Sequence, residues 1–87
     1  MSYRVLWSPE AEARLSVLFS RADEVEMLAV IVREIDRRLF NKPDEFGESR
    51  YDAVRVGFVR PLGVLFEIHH DIRTVIVYGV WRTDRKS

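Results

Sequence analysis

With 87 residues, 47% of them apolar, the chain can form one small domain with one core, predicted to span residues 1–87 with a frayed tail over residues 83–87. The formal net charge is zero, which argues against a generic nucleic-acid coat, and the absence of cysteine excludes disulfides, thiolate zinc sites and cysteine nucleophiles. Because no window approaches the roughly 18 apolar residues of a membrane span and the N-terminus lacks a signal-peptide pattern, we expect a cytoplasmic protein.

The first predicted elements are a strand and a helix. The segment "YRVLW" (3–7) is short and rich in strand-forming residues. Ser8 and Pro9 indicate a helix start, because serine caps free amides and proline suits the first helical position. Apolar residues then recur on one helical face, at Ala11, Leu15, Leu18, Phe19 and Ala22.

A second helix is predicted to follow almost at once. Asp23, with Glu26 three residues later, resembles a capping box. One apolar face follows, formed by Leu28, Ile31, Val32, Ile35 and Leu39. This helix should end near Asn41, because Pro43 disfavours helical backbone at the residue before it. Two helices joined so closely are expected to form an αα-hairpin.

After a polar loop over residues 41–49, the apolar period changes from 3.6 to 2. Strands are predicted at 51–59, 63–69 and 73–82, joined by "RPLG" (60–63) and "HHDI" (69–72). The predicted fold class is α+β with the order β-α-α-β-β-β. The helical hairpin should cover one face of a small, mainly antiparallel four-stranded sheet, with the first strand at an edge and the last strand, apolar on both faces, in the interior.

The other sheet face is expected to be open, and alternation predicts what it carries. If Val54, Val56 and Phe58 point to the core, Arg55 points outward. If Arg82 also points outward, which avoids burying its charge, the open face collects these residues: Arg55, Glu67, His69, Tyr78 and Arg82 around Leu65, Ile76 and Val80. Val75, Val77, Gly79 and Trp81 would then face the helices.

Charge is distributed unevenly along the chain. Residues 1–48 carry seven basic and ten acidic side chains, whereas residues 49–87 carry seven basic and four acidic ones, and twelve of the fourteen basic residues are arginine. Arginine binds phosphates and carboxylates through two parallel hydrogen bonds. The open face is therefore a candidate surface for RNA cleavage or phosphate binding, with Tyr78 or His69 handling a proton. The alternative is an ordinary solvated sheet with a cross-strand Arg55–Glu67 ion pair.

The two histidines of the chain, His69 and His70, stand next to each other before Asp71. Adjacent strand residues point to opposite faces, so this pair is not expected to share a metal ion. We interpret "HHDI" as the turn between two strands, and no metal or other cofactor is predicted.

Five fragments together resemble the RelE/ParE superfamily of bacterial type II toxins: "WSPEAE", "EIDRRL", "PDEFGESR", "PLGVLFEI" and "RTVIVYGV". The resemblance runs over residues 3–82 and includes the predicted order of elements. It implies a growth-inhibiting toxin, of a class linked to plasmid stabilization, whose partner is a cognate antitoxin. In the RelE branch the toxin cuts mRNA on the ribosome without a metal, and the 2′-hydroxyl of the RNA attacks the adjacent phosphate. In the ParE branch the target is DNA gyrase.

The resemblance also implies site residues. Arg82 resembles the arginine that RelE-type enzymes use at the end of the last strand, and Arg55 lies near their basic pair. Where their third strand opens with arginine this chain has Gly63, so Arg60 is the nearest candidate. Tyr78 is a candidate substitute for their C-terminal tyrosine. Two further arginines at strand ends are candidate RNA- or phosphate-binding residues: Arg50 and Arg73. Because the arginine at the start of the third strand and the C-terminal tyrosine of RelE-type enzymes are both missing here, a gyrase inhibitor and a non-catalytic antitoxin-binding module stay as alternatives.

Overall fold

A computed structural model describes residues 2–84, and within this range it contains two helices and five strands. The order along the chain is strand, helix, helix and four further strands. The bounds of these elements are β1 Arg4–Trp7, α1 Pro9–Ser20, α2 Val25–Asn41, β2 Glu48–Tyr51, β3 Val54–Val59, β4 Leu62–His69 and β5 Thr74–Arg82. One-turn 3₁₀ helices follow α2 and β4, at Pro43–Glu45 and His70–Ile72.

The first helix begins as the sequence predicts. Ser8 has extended backbone, and its hydroxyl accepts a hydrogen bond from the amide of Ala11 at 3.1 Å, while Pro9 occupies the first helical position. The buried residues Ala11 and Leu18 turn one face of α1 toward β5. The N-cap therefore fixes where the chain leaves β1 and enters the helical layer.

The second helix begins one residue later than predicted, so the expected capping box is wrong. Glu24 is the N-cap, and within the described residues no side chain caps this end. Glu26 therefore stands at the second helical position rather than the third, out of place for the reciprocal bond of a capping box. The predicted end at Asn41 is confirmed, and the four buried residues of α2 lie on the predicted face: Leu28, Ile31, Ile35 and Leu39.

The sheet has the strand order β1-β5-β4-β3-β2, so it has five strands within residues 2–84 rather than the four predicted. The edge position of β1, its parallel pairing with the interior strand β5, and the antiparallel pairing of the other strands agree with a mainly antiparallel sheet. The additional strand is β2, which pairs with β3 around a turn at Asp52, where φ is 48°. All four residues of β2 are exposed, so no apolar alternation marks this strand in the sequence.

A β-bulge in β5 decides which residues face the helices. Leu65 pairs with Gly79 and Phe66 pairs with Val77, so Tyr78 is an extra residue on β5. An extra residue shifts the alternation of every residue beyond it. The predicted inward Val75 and Val77 are confirmed. Beyond the bulge the prediction is wrong, because Val80 is buried with the core, and Arg82 pairs with Leu62 on the same face.

The core lies between the helices and this sheet face. Phe66 is fully buried and stacks on Phe46, with ring centroids 5.6 Å apart. Burying such a side chain contributes about 1.5–3 kcal/mol. Around this pair the fully buried residues come from both layers: Leu28, Ile35, Leu39, Leu62, Val64, Val75 and Val77. Neither helix within residues 2–84 is long and apolar enough to cross a membrane.

The tail predicted to fray begins in an ordered way. The backbone amide of Thr83 donates to the carbonyl of Pro61 at 2.8 Å, and Asp84 accepts hydrogen bonds from Arg82. The remainder of that tail, residues 85–87, lies outside the described residues.

Candidate site on the open face of the sheet

The open face, which we define as the sheet face turned away from the helices, is built from cross-strand rows. The register places Leu6, Ile76, Glu67, Val54 and Tyr51 in one row. A second row contains Leu65 and Val56, with the bulge residues of β5 at its end. The face is thus largely apolar, and its polar side chains are few.

Three of those polar side chains form a hydrogen-bonded group, here called the Glu67 cluster: Glu67, His69 and Tyr78. The Tyr78 hydroxyl donates to Glu67 Oε1 at 3.1 Å. His69 Nε2 lies 3.1 Å from the same oxygen, and it donates in the protonated ring or in the Nε2–H tautomer. The side chains of Glu67 and His69 are 28% and 36% exposed, so water and a ligand can reach both.

The local structure positions each member of this cluster. Glu67 and His69 are two residues apart on β4 and therefore project from the same face. The bulge adds Tyr78 to β5, and its ring crosses to Glu67 rather than into the core. The hydrogen bond to Glu67 is the largest cause that raises the pKa of Tyr78 above its ordinary value. Tyr78 is therefore a proton donor at neutral pH and not a base.

A second feature of the open face is an aromatic pair at the end where β3 turns into β4. Phe58 and Trp81 meet edge to face, with centroids 6.2 Å apart, across Gly63. A Cβ on Gly63 would lie 2.7 Å from the indole and 2.9 Å from the Phe58 ring, so only glycine leaves room for both rings. The predicted site residue Arg60 places its guanidinium 5.2 Å from the centroid of Phe58.

Arg55 does not lie on the open face, so the predicted facing of this strand is wrong. Arg55 pairs with Phe66 and therefore shares the helix-covered face, whereas Val56 and Phe58 share the open face with Leu65 and Gly63. The guanidinium of Arg55 donates to the carbonyls of Phe46 at 3.2 Å and Gly47 at 2.8 Å. The alternative Arg55–Glu67 pair is equally wrong, because the two side chains leave opposite faces.

Arg82 also lies on the helix-covered side. Its Nε and Nη2 donate to the two carboxylate oxygens of Asp84 at 2.9 and 2.8 Å, and Nη2 lies 3.5 Å from Glu24 at the start of α2. The bond to Asp84 is the main cause that raises the pKa of Arg82. The structure thus separates Arg82 from Tyr78, which the sequence placed on one face.

The remaining predicted residues are dispersed. Arg50 is the extra residue of a second bulge, on β2. Arg73 lies in the turn before β5 and has a φ of 48°. Its guanidinium lies 4.8 Å from the ring centroid of Tyr3, next to β1 and therefore at the sheet edge opposite to β2. None of the predicted arginines contacts the Glu67 cluster within residues 2–84. Their proposed roles in catalysis and phosphate binding therefore stay predictions.

The turn interpretation of "HHDI" is confirmed. His69 ends β4, and a 3₁₀ turn covers His70–Ile72. His70 Nδ1 bonds the Tyr3 hydroxyl at 2.8 Å while His69 bonds Glu67, so the two rings have different partners. In the part of the chain that the structure describes, no three His, Asp or Glu side chains cluster as metal ligands would.

One feature of the sequence indicated this site. The spacing of Glu67 and His69 on one strand face, with Tyr78 on the other side of the turn, placed all three on the open face. It did not indicate that they bond to each other, because that depends on the bulge. Arg4 was missed altogether; it pairs with Thr74, which pairs with His69, so it reaches the open face from β1.

No protein-family model and no curated protein matches this chain. Solved structures do match it. One is a chain in the crystal structure of the toxin–antitoxin complex RelBE2 from Mycobacterium tuberculosis, with a TM-score of 0.80 over 97% of this chain and 95% of that chain, at 19% sequence identity. The α+β fold expected from the sequence is therefore confirmed, with one strand more than predicted, and it is similar to the fold of a chain in this complex.

Proposed function

We propose that the protein is the toxin of a toxin–antitoxin pair and that it cleaves mRNA with the Glu67 cluster on its open face. Two observations support this. The fold is like that of a chain in a toxin–antitoxin complex. The observation that carries the chemistry is the group of an acid, an imidazole and a phenol, joined by two 3.1 Å contacts on an exposed sheet face. The proposed site of action is the cytoplasm, where mRNA is translated.

The chemistry matches what RNA cleavage by its own 2′-hydroxyl needs. The 2′-oxygen forms a bond to phosphorus, and the bond from phosphorus to the 5′-oxygen breaks. The imidazole of His69, oriented by Glu67, accepts the proton of the 2′-hydroxyl. Tyr78 donates its proton to the leaving 5′-oxygen and recovers it from solvent. The phenol is protonated at neutral pH, and it can give up its proton in this step because the leaving 5′-alkoxide is a much stronger base than a phenolate.

The phosphate in this reaction gains negative charge, and cations near the cluster stabilise it. Arg4 lies in the row of His69, and Arg60 lies over Phe58 at the other end of the open face. Arg55 and Arg82 are engaged on the helix-covered side. We therefore assign the scissile phosphate to Arg4 rather than to the pair expected from the sequence resemblance, and we assign to Arg60 a phosphate farther along the bound RNA.

Cleavage is tested by incubating the purified protein with programmed ribosomes and mapping mRNA ends. The variants His69→Gln and Tyr78→Phe should each lose about 10²-fold or more in cleavage rate, the usual contribution of a general acid or base. Tyr51→Phe is the matched control, because Tyr51 is an exposed sheet tyrosine in the same row as Glu67. Full activity of both site variants, or no cleavage by the parent protein, refutes this assignment.

A second candidate is inhibition of DNA gyrase without catalysis. It is favoured by the positions of Arg55 and Arg82, because their engagement away from the open face leaves fewer cations there for a scissile phosphate. A supercoiling assay distinguishes the two. Inhibition of gyrase by the parent protein and equally by Tyr78→Phe would support this candidate, whereas unaffected gyrase at micromolar protein would exclude it.

The antitoxin is tested in cells. Expression of the chain alone should slow growth, and co-expression of the neighbouring reading frame should restore it. The Tyr78→Phe variant separates toxicity from partner binding, since it should be harmless if the Glu67 cluster is the site and still co-purify with the partner. Unimpaired growth with the folded parent protein would leave a non-toxic binding module as the function.

A further inference from the structure

On the helix-covered side, next to the end of β5, a cleft of about 310 Å³ opens between that strand and α1. Six residues line it, and we call it the Arg82 cleft: Arg14, Val17, Leu18, Arg21, Arg82 and Asp84. Three of the six are arginines and one is an acid. Arg14 is on α1 and Arg21 is the C-cap residue of this helix, seven residues later, which is about two helical turns, so they lie on the same side of the helix.

The way Arg82 is engaged in this cleft resembles the binding of an external anion. Its Nε and Nη2 donate to the two oxygens of Asp84 at 2.9 and 2.8 Å, the parallel two-bond geometry that guanidinium groups form with carboxylates and phosphates. The Arg82 side chain is 17% exposed, whereas the Asp84 side chain is 53% exposed. Arg82 is therefore held in place, and Asp84 is the partner that solvent and a ligand can replace.

We propose that the Arg82 cleft is a phosphate-binding site and that Asp84 occupies its arginine fork when no ligand is bound. Within residues 2–84, neither Arg14 nor Arg21 forms an ion pair, so two further guanidinium groups at the cleft are available. A carboxylate has only two oxygens, and Arg82 alone takes both. A phosphate group has additional oxygens for Arg14 and Arg21, and its charge suits a site in which three arginines outnumber two carboxylates, Asp84 and the neighbouring Glu24. The site does not depend on RNA cleavage at the open face, from which Arg82 is separated.

Binding is measured on the full-length protein by NMR, following the Nε–H resonance of Arg82. The probes are inorganic phosphate, a 5′-phosphorylated trinucleotide and the same trinucleotide without the terminal phosphate. Saturable shifts of Arg82 with inorganic phosphate and with the phosphorylated trinucleotide, but weaker shifts without the terminal phosphate, identify a phosphate-monoester site. Equal shifts by both trinucleotides identify the nucleic-acid backbone as the source of the phosphate.

Variants test the role of each side chain. Asp84→Asn removes the competing anion and should tighten phosphate binding by about two- to fivefold, the factor expected from an exposed ion pair. Arg14→Ala and Arg21→Ala should each weaken binding severalfold without affecting the fold, because both residues are exposed, one on α1 and one at its C-terminal end. Arg33→Ala is the control, because Arg33 is exposed on α2 and does not line the cleft.

Three results would overturn the proposal. The first is the absence of saturable shifts at Arg82 with any of the phosphate probes. The second is an unchanged affinity in Asp84→Asn. The third is tighter binding of an acidic peptide than of phosphate, which would assign the cleft to carboxylates. Arg82→Lys supplies a check that keeps the charge, and it should lose most of the affinity because lysine cannot form two parallel bonds.

Discussion

The hydroxyl of Tyr78 donates a hydrogen bond to Oε1 of Glu67 at 3.1 Å, from a strand that the bulge has lengthened by one residue. This hydrogen bond connects the bulge of β5 to the polar side chains of the open face. It gives the carboxylate two neighbours, because His69 shares the same oxygen. The bulge thus adds the Tyr78 phenol to the polar side chains of the open face.

The ionisation of Tyr78 should depend on Glu67. The hydrogen bond first, then burial and the negative charge of Glu67, raise the pKa of Tyr78 above its ordinary value of 10.0. In Glu67→Ala we expect the pKa to fall toward that value. Phenolate absorbance, with Tyr78→Phe subtracted to isolate this residue, measures the change.

The raised pKa of Tyr78 also predicts how the stability of the folded protein depends on pH. Because the folded-state pKa of Tyr78 is raised, the stabilisation is fully present below pH 10 and is lost as the pH rises through the folded-state pKa.

Glu48→Ala is the control for the absorbance titration, because it removes another carboxylate of the same sheet and should leave the titration of Tyr78 unchanged. A titration of Glu67→Ala that superimposes on that of the parent protein would contradict the assignment.

Arg55 is expected to act on stability rather than on catalysis. Its guanidinium holds the carbonyls of Phe46 and Gly47, so Arg55→Ala should lower the free energy of unfolding by about 1–2 kcal/mol. Urea unfolding measures this, and Arg50→Ala, a change on the exposed strand β2, should stay within about 0.5 kcal/mol. Loss of mRNA cleavage in Arg55→Ala at unchanged stability would instead support the catalytic role predicted from the sequence.

Gly47 is expected to be the least replaceable of the glycines. Its φ is +76°, and an added Cβ would meet the carbonyl of Val56 and lie 2.6 Å from Cα of Gly57. Both obstacles are backbone, so Gly47→Ala should cost about 2–4 kcal/mol. Gly79→Ala is the matched control, because its Cβ would meet Leu65 at an ordinary 3.6 Å. Thermal unfolding of the two variants compares them, and equal losses would show that the Gly47 turn relaxes.

Glu34 provides a stabilisation of α2 that is lost in acid. Hydrogen bonds from Arg37 and then Arg38 lower the pKa of Glu34 from 4.5 to about 2. Since the folded-state pKa is lowered, this contribution is present above pH 4.5 and is lost as the pH falls toward about 2. The melting temperatures of the parent protein and Glu34→Gln should therefore differ at neutral pH and converge near pH 2. A difference that is constant over this range would exclude the proposed linkage.

The sequence by itself determined the helices and most of the core. The cap at Ser8, the start at Pro9 and the end at Asn41 are local, because they depend on hydrogen bonds and backbone limits within one turn. The buried face of α2 and the buried residues of β4 follow from periods of 3.6 and 2. The resemblance to a known toxin family led to the same α+β architecture with one strand fewer, and the structural comparison confirms that fold.

The tertiary structure alone decided which side of the sheet each arginine occupies. Alternation in a strand states that neighbours point to opposite faces, but not which face is covered when both are apolar, as in β3. The ring of Phe46, from the loop after α2, packs directly over Gly57. Phe46 therefore covers this part of β3, and the strand does not need a large apolar residue of its own on the helix-covered face. In β5 the single extra residue Tyr78 reverses the facing of Arg82. Register and bulges are set by contacts between distant segments, and no short window of sequence contains them.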